Sequence, residues 1–198
     1  YDLEHIYMTA NLKEGEVYLV HGGAGGLGTT SIQLAKAFGS TVIATDSPSN
    51  RCTICSDLGA DRVVDYNQED FVDVVREEFN GAQVILDIIG GQYVERNIRA
   101  ASHDARIVQL AFALGSKIEI NLMPIMLKRL IYTGSTLRSR SDEYKTEIGR
   151  QLRQKVWPLF AKKHLKPVVK TVLPLKNASE AHAIMEQAGH QGKIVLTT

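Results

Sequence analysis

Six short apolar runs punctuate the first two thirds of the chain and begin about 21 to 24 residues apart. Within each run the apolar residues are consecutive instead of alternating with polar ones, which is typical of parallel strands covered on both faces. The segments between the runs are long enough for a helix. The pattern therefore predicts alternating strands and helices, with strands at 17–20, 42–44, 63–64, 84–86, 107–110 and 130–132.

The first interval shows the unit most clearly. Small or apolar residues recur at helical spacing from Leu27 to Phe38, and Gly39 then ends the predicted helix. Because parallel neighbours need right-handed crossovers, six such units predict an α/β fold, a doubly wound parallel six-stranded Rossmann sheet. The simplest strand order is 3-2-1-4-5-6.

Both ends of the chain depart from this repeat. Residues 2–12 predict an amphipathic helix ending at Gly15, and Ser141 is a candidate cap for a later helix that Pro158 should kink or end. A strand near 168–172, a helix near 177–188 and a strand at 193–197 follow. We expect a linking helix over residues 1–15, a dinucleotide-binding domain over 16–165 and a C-terminal tail over 166–198.

Composition excludes several other classes of protein. The 198 residues are 44% hydrophobic with a formal net charge of +1, which gives no field to gather nucleic acid or an anionic membrane. No apolar run approaches the length of a membrane helix, so a cytoplasmic enzyme is expected. Cys52 and Cys55 form a C-x-x-C without a second ligand pair, and no metal site is predicted.

A glycine-rich turn follows the first strand directly and opens the first helix. Gly23, Gly25 and Gly28 fit G-x-G-x-x-G in the strand–turn–helix context that the motif requires. Glycines there permit a tight turn, close approach of the main chain to a pyrophosphate, and close packing of helix on strand. We therefore predict that the whole turn binds a dinucleotide, through Gly22, Gly23, Ala24, Gly25, Gly26, Leu27 and Gly28. A tight turn without a ligand is the alternative.

The second predicted strand ends in two conflicting signals. Asp46 stands where an acidic residue accepts hydrogen bonds from the adenosine ribose, which favours NAD. Ser47 and Arg51 follow at once, and a guanidinium with hydroxyls suits a 2′-phosphate. Asp46 as a helix cap and Arg51 as a solvated surface residue are the alternatives.

The fourth and fifth strands should end beside the first, at the edge where open α/β sheets bind ligands. Asp87 in that position could order the turn, cap the next helix or contact a ligand. The histidines show no spacing typical of a metal or a triad, and we expect structural roles for His21, His103, His164, His182 and His190.

Several segments resemble the zinc-independent quinone oxidoreductases of the medium-chain dehydrogenase/reductase superfamily. The resemblance covers nearly the whole chain. It rests on segments 20–28, 32–36, 58–61, 65–66, 86–91 (Leu-Asp-Ile-Ile-Gly-Gly), 127–130, 133–140 (Thr-Gly-Ser-Thr-Leu-Arg-Ser-Arg) and 192–196 (Gly-Lys-Ile-Val-Leu).

The resemblance implies NADPH as hydride donor, a quinone or α,β-unsaturated carbonyl as acceptor, and a homodimer. Family members also carry an N-terminal GroES-like catalytic domain, to which the tail would return. By position, Tyr66 and Arg51 match cofactor contacts, as does Ile89 in the Leu-Asp-x-x-Gly-Gly segment. The segment Leu110, Ala111 and Phe112 matches the one beside the nicotinamide. Two departures are Asp46, which would repel a 2′-phosphate and keeps NADH as the alternative, and Ala111 in place of a glycine.

The predicted chemistry is hydride transfer, for which the cofactor supplies the reactivity and the protein the orientation. No acid or base is assigned, because a quinone can collect its proton from solvent. A class I methyltransferase and a cofactor-binding module without turnover are the competing hypotheses, and we expect the isolated 198 residues to be inactive. A short-chain dehydrogenase is disfavoured because its Tyr-x-x-x-Lys is absent.

Overall fold

The computed structural model describes residues 3–187 and 191–198. Its centre is a six-stranded, all-parallel sheet in the order β3-β2-β1-β4-β5-β6, which confirms the predicted fold class and strand order. The strands are β1 (Val17–His21), β2 (Thr41–Asp46), β3 (Arg62–Asp65), β4 (Ala82–Asp87), β5 (Ala101–Gln109) and β6 (Ile131–Gly134).

The strand register brings the carboxyl ends of the central strands to one edge. His21 pairs with Thr45 of β2, and Asp87 of β4 pairs with Gln109 of β5. The order of the strands reverses between β1 and β4, where connections leave in opposite directions. Open α/β sheets bind ligands in the crevice at such a point.

Helices cover both faces of the sheet. They are α1 (Gly28–Ala37), α2 (Ser49–Asp57), α3 (Phe71–Phe79), α4 (Tyr93–Ala100), α5 (Met123–Lys128), α6 (Asp142–Gln151), α7 (Trp157–Ala161) and α8 (Ala178–Glu186). None of the helices described within 3–187 and 191–198 is long and apolar enough to cross a membrane.

Each face of the sheet has its own apolar core. On one face Ile6 of the N-terminal segment and Ile32 of α1 pack on Val20 and Val84. On the other face residues of α3 and α4 pack on Leu19, Ile43 and Ile107, as Phe71 and Ile98 do. Strands with both faces buried explain why the apolar runs in the sequence are consecutive.

Two predicted boundaries were wrong. The strand β5 begins at Ala101, six residues before the predicted position, because Ala101 pairs with Ala82 and an irregularity then separates it from Arg106. Asp104 within this stretch is left-handed, with φ of 57°, and its polar neighbours hide the strand in the sequence. At the start, the described helical segment is a short π-helix, Leu3–Thr9, and not a helix to Gly15; residue 2 lies outside the described residues.

The helices and strands of the C-terminal third lie close to the positions predicted from the sequence. The Ser141 hydroxyl accepts the amide hydrogen of Tyr144 and caps α6 as predicted, but Pro158 does not end the helical stretch, which continues to Ala161 after a π-helical turn. Two further strands, β7 (Val169–Pro174) and β8 (Lys193–Thr197), form a separate parallel pair. The predicted helix end at Ala188 lies outside the described residues.

Candidate cofactor site

The glycine turn is fastened to the neighbouring strand by its own main chain. The amides of Gly22 and Gly23 both donate to the carbonyl oxygen of Thr45, at 2.9 and 3.1 Å. Gly22 has a φ of 68°, in the left-handed region that favours glycine. A Cβ on Gly28 would collide with the carbonyl oxygen of Gly22 and lie 2.6 Å from Gly23 Cα. The turn therefore needs glycine at its first and last positions.

Two backbone amides without an acceptor in the described part of the chain lie where the glycine turn enters α1. The amides of Gly26 and Leu27 donate to no acceptor within the described part of the chain. Lys193 of β8 lies against the same point, since a Cβ on Gly26 would be 2.9 Å from Lys193 Nζ. Free amides at a helix N-terminus together with an ammonium group form a site that suits a phosphate.

Lys193 is a candidate that the sequence analysis did not single out. It belongs to the Gly-Lys-Ile-Val-Leu segment, but it lies 167 residues after Gly26, and only the fold brings the two together. The amide of Gly192 donates to Ala24 O at 3.1 Å and holds the tail against the turn.

Asp46 and Arg51, which favour different cofactors in the sequence, form an ion pair in the structure. Asp46 is 2% exposed, and its Oδ1 accepts from Arg51 Nε at 2.6 Å and from the amide of Ser47 at 2.8 Å. Its Oδ2 accepts from the amide of Ala24 at 2.8 Å and from Arg51 Nη2 at 3.1 Å. The hydrogen bonds that Arg51 donates to Asp46 raise the pKa of Arg51 above its ordinary value.

Both alternative interpretations of this pair were therefore wrong. The helix α2 begins after Pro48, with no side-chain cap from Asp46, and Arg51 is a half-buried partner of that carboxylate and not a solvated residue. Asp46 ties the end of β2 to the glycine turn.

The predicted adenosine contacts lie together around one cavity of about 370 Å³, and Tyr93 of α4 joins them. Tyr93 was not predicted from the sequence. Its position two residues after Gly90-Gly91, at the carboxyl end of β4, could have indicated that it lies near the crevice. Burial raises the pKa of Tyr66 and of Tyr93, so both phenols stay protonated at neutral pH. The lining residues are His21, Gly22, Thr45, Asp46, Ser47, Pro48, Arg51, Tyr66, Ile89 and Tyr93.

His21 and Thr45, which line this cavity, belong to a buried network of hydrogen bonds. His21 Nε2 donates to Asn97 Oδ1 at 2.8 Å, and the Asn97 amide donates to Asp87 at 3.0 Å. On its other side His21 Nδ1 accepts from the Thr45 hydroxyl at 2.9 Å. Burial lowers the pKa of His21, so the ring is neutral at pH 7. His21 thus has the structural role we expected.

Asp87 orders the turn after β4. Its Oδ1 accepts from the amides of Ile89 and Gly90, at 2.6 and 3.0 Å, and the residue is fully buried. Asp87 was predicted either to order this turn or to cap the next helix, and the geometry shows that it orders the turn.

The remaining histidines with predicted structural roles are not buried. His103, His164 and His182 are all exposed, and the prediction was wrong for them. His190 lies outside the described residues.

The predicted nicotinamide segment lies apart from the adenosine cavity. The amide of Leu110 donates to Asp87 O at 2.8 Å, which joins β5 to β4 at the crevice edge. Ala111 and Phe112 are exposed, and Phe112 lines a separate apolar cleft of about 300 Å³ with Tyr132. The crevice therefore has two ends: a polar cavity over β1–β3 and an apolar surface over β4–β6.

The two cysteines belong to the packing of the turn. Cys55 lies beneath Gly23, where a Cβ would be 2.6 Å from its Sγ, and burial raises the pKa of this thiol to about 12. Cys52 donates to the carbonyl oxygen of Asp46 at 3.4 Å. Within residues 3–187 and 191–198 no three His, Cys, Asp or Glu side chains are grouped as for a metal.

A doubly wound sheet with a glycine turn and free amides at its switch point defines a dinucleotide-binding α/β protein. Comparisons with known proteins make this class more specific. The family model of the zinc-binding dehydrogenases matches residues 26–152, and the chain belongs to that family.

The relatives confirm the resemblance to the quinone oxidoreductases. Quinone oxidoreductase of Sus scrofa is 28% identical over 95% of this chain, and quinone oxidoreductase 1 of Escherichia coli is 29% identical over 95%. A solved E. coli quinone oxidoreductase complexed with NADPH superposes over all of this chain and 62% of its own, with a TM-score of 0.83 and 28% identity. The chain spans 56–58% of the length of these two curated relatives.

Proposed function

We propose that this chain is the cofactor-binding part of an NADPH-dependent oxidoreductase that transfers hydride to a quinone or an α,β-unsaturated carbonyl. The observation that carries the proposal is the anion site at the start of α1. There the amides of Gly26 and Leu27 have no acceptor in the described part of the chain, and the ammonium of Lys193 lies against Gly26. This geometry suits a pyrophosphate, because backbone donors and a positive charge face one point.

Each part of the chain then has a role in holding the cofactor. The turn from Gly22 to Gly28 and Lys193 would bind the pyrophosphate, and Tyr66, Tyr93 and Ile89 would enclose the adenine. Leu110, Ala111 and Phe112 would form one wall of the nicotinamide site and exclude water from it. The bound cofactor supplies the hydride from its nicotinamide ring, and the protein supplies orientation.

The Asp46–Arg51 pair is the basis for proposing NADPH before NADH. Four N–H donors already fill the acceptor positions of the Asp46 carboxylate, so ribose hydroxyls could bond to it only after Arg51 moves. The paired guanidinium also offsets the negative charge that would repel a 2′-phosphate. Arg51 is thus the proposed 2′-phosphate contact, with Ser47 beside it, and NADH is the alternative cofactor.

The wider predictions from the resemblance belong to the same proposal. They are zinc-independent chemistry, a cytoplasmic location, and an association with a GroES-like catalytic domain. A homodimer is supported by the edge strand β6, whose Ile131 and Tyr132 are 57% and 39% exposed. An apolar edge strand is a surface at which two copies could pair.

The test of this function is reduction of 1,4-naphthoquinone by the full-length protein, followed as loss of NADPH absorbance. Deuterium at C4 of the reduced nicotinamide should slow the reaction if hydride transfer limits it. The 198 residues alone should bind NADPH without turnover, and quinone reduction by them alone would contradict that part. Binding of S-adenosylmethionine in place of both dinucleotides would support the methyltransferase hypothesis instead.

A further inference from the structure

A carboxylate–imidazole pair is buried at the β5–β6 end of the sheet, apart from the proposed adenosine contacts. Glu4 is fully buried and His5 is 3% exposed, although both residue types usually lie at the surface or only partly buried. Glu4 Oε2 is 2.5 Å from His5 Nδ1. A carboxylate at this distance favours the protonated form of the imidazole.

Ser135 connects this pair to the end of the sheet. His5 Nδ1 is 2.8 Å from Ser135 Oγ, and the same hydroxyl donates to Glu4 Oε1 at 2.8 Å. The hydroxyls of Tyr144 and Thr9 also donate to Glu4 Oε1, at 3.3 and 3.4 Å. Hydroxyl groups thus take the place of water around Oε1, whereas Oε2 is buried without a hydrogen-bond partner among the described residues and lies against the His5 ring.

Ser135 is the half-buried member of the group and lies at the crevice edge. It directly follows β6, and its amide donates to the carbonyl oxygen of Gln109, the last residue of β5, at 3.1 Å. The proposed nicotinamide segment begins at the next residue, Leu110. The main chain of Ser135 therefore lies beside the start of the proposed nicotinamide segment.

Reduction of a quinone or enone by hydride also consumes a proton, and other titratable groups at this edge are already committed. Asp87 is fixed by the amides of the turn, and His21 is enclosed between Thr45 and Asn97. The Tyr132 hydroxyl donates to Gln109 Oε1 at 2.6 Å. The group around Ser135 combines a titratable imidazole with a half-buried hydroxyl.

We propose that Ser135 passes a proton held by the Glu4–His5 pair to the reduced acceptor; this inference rests on the proposed function. The acceptor gains a hydride, with its two electrons, from the reduced nicotinamide. Its oxygen forms a bond to the Ser135 hydroxyl hydrogen, which leaves its hydrogen bond to Glu4 Oε1, while Ser135 Oγ takes the Nδ1 proton of the His5 imidazolium. This leaves neutral His5, and a proton from water restores the imidazolium.

The surroundings of His5 set the direction of the pH dependence. Burial lowers the pKa of His5 from its ordinary value, and Glu4 opposes this shift. From α6, Tyr144 faces Glu4 with a pKa raised mainly by burial, and Arg140 lies over the Tyr144 ring at 4.8 Å. The proton-carrying state is therefore populated at acidic pH, and acceptor reduction should speed up as the pH falls below about 6.5.

The decisive comparison uses the full-length protein with NADPH and 1,4-naphthoquinone. Ser135→Ala should lower kcat about 100-fold, remove the acidic limb of the pH profile and leave the affinity for NADPH unchanged. Ser135→Thr, which keeps the hydroxyl, should retain both the rate and the limb. Thr136→Val removes the neighbouring exposed hydroxyl and is the matched control.

A second measurement does not depend on activity. In an NMR titration of the histidine rings, Glu4→Gln should lower the pKa of His5 further, because the carboxylate that favours the imidazolium is gone. An unchanged His5 titration, or a Ser135→Ala enzyme with wild-type rate and pH profile, would overturn the inference. Absence of any NADPH-dependent reduction by the wild-type protein would overturn the proposed function itself.

Discussion

The two ends of the crevice differ in how much of a binding site this chain supplies. Over β1–β3 polar side chains and the tyrosines line a cavity, and the glycine turn, Asp46 and Arg51 are joined to each other by hydrogen bonds. Over β4–β6 the surface is open and apolar, with Phe112 49% exposed and Met126 69% exposed.

This difference separates binding from reaction. A preformed polar cavity can hold the adenosine half of a dinucleotide without help, whereas large exposed apolar residues mark surfaces that another protein surface covers. We therefore expect cofactor affinity to depend on the β1–β3 end and turnover on what meets the β4–β6 end. The following changes test this division.

The largest effect is expected at the turn itself. Gly28→Val would place side-chain atoms on the main chain of Gly22 and Gly23, and should abolish measurable NADPH binding and destabilise the fold by about 3 kcal/mol. Denaturant unfolding and a binding titration measure both. Gly149→Ala, in an open position of α6, is the control and should gain about 0.5–1 kcal/mol.

The next effect concerns the choice of cofactor. Arg51→Gln should weaken NADPH binding about 10- to 100-fold, since the proposed partner of the 2′-phosphate is lost. NADH affinity should be unchanged or higher, because Asp46 becomes available to the ribose. Arg129→Gln removes an exposed arginine paired with Asp104 and should leave both affinities alone. Equal losses for the two cofactors would show that Arg51 acts only through the fold.

A smaller effect is expected on stability against acid. The pKa of His21 is lowered in the folded chain, so its contribution is complete above about pH 6.5 and is lost as the pH falls below that value. Each such group changes the free energy of unfolding by at most about 1.4 kcal/mol per pH unit. His21→Gln should flatten the profile between pH 6.5 and 5 relative to His182→Gln on exposed α8. His5 has the same sign and should account for part of the residual slope.

The smallest effect on the single chain is expected at the open end. Ile131→Lys should change the free energy of unfolding by no more than about 0.5 kcal/mol, because the side chain is 57% exposed. If β6 joins two copies, the same change should convert a dimer into a monomer in sedimentation experiments. A dimer that persists would place the contact elsewhere.

Much of the architecture could be predicted because consecutive apolar runs and glycine punctuation are local signals. The six strands, their order and the turn from Gly22 to Gly28 depend on residues close in sequence. β5 was predicted too short because its first half is polar and contains the left-handed Asp104.

The candidate site was predictable only in part, for a related reason. Lys193 reaches Gly26 through the tertiary fold, and the bonds of Asp46 to both Ala24 and Arg51 resolve a conflict that composition could not. In the Glu4–His5–Ser135 group, Ser135 contacts residues that lie 130 and 131 positions away in the sequence. Such contacts leave no periodic pattern in a single sequence.

We propose above that the amides at the start of α1 bind a dinucleotide pyrophosphate. Titration of the ¹⁵N-labelled chain with NADPH, followed by NMR, tests it directly. We predict saturable shifts centred on the Gly26 and Leu27 amides and spreading to Ala24 and Lys193. A folded chain whose Gly26 and Leu27 signals do not move with either NADPH or NADH would contradict the account.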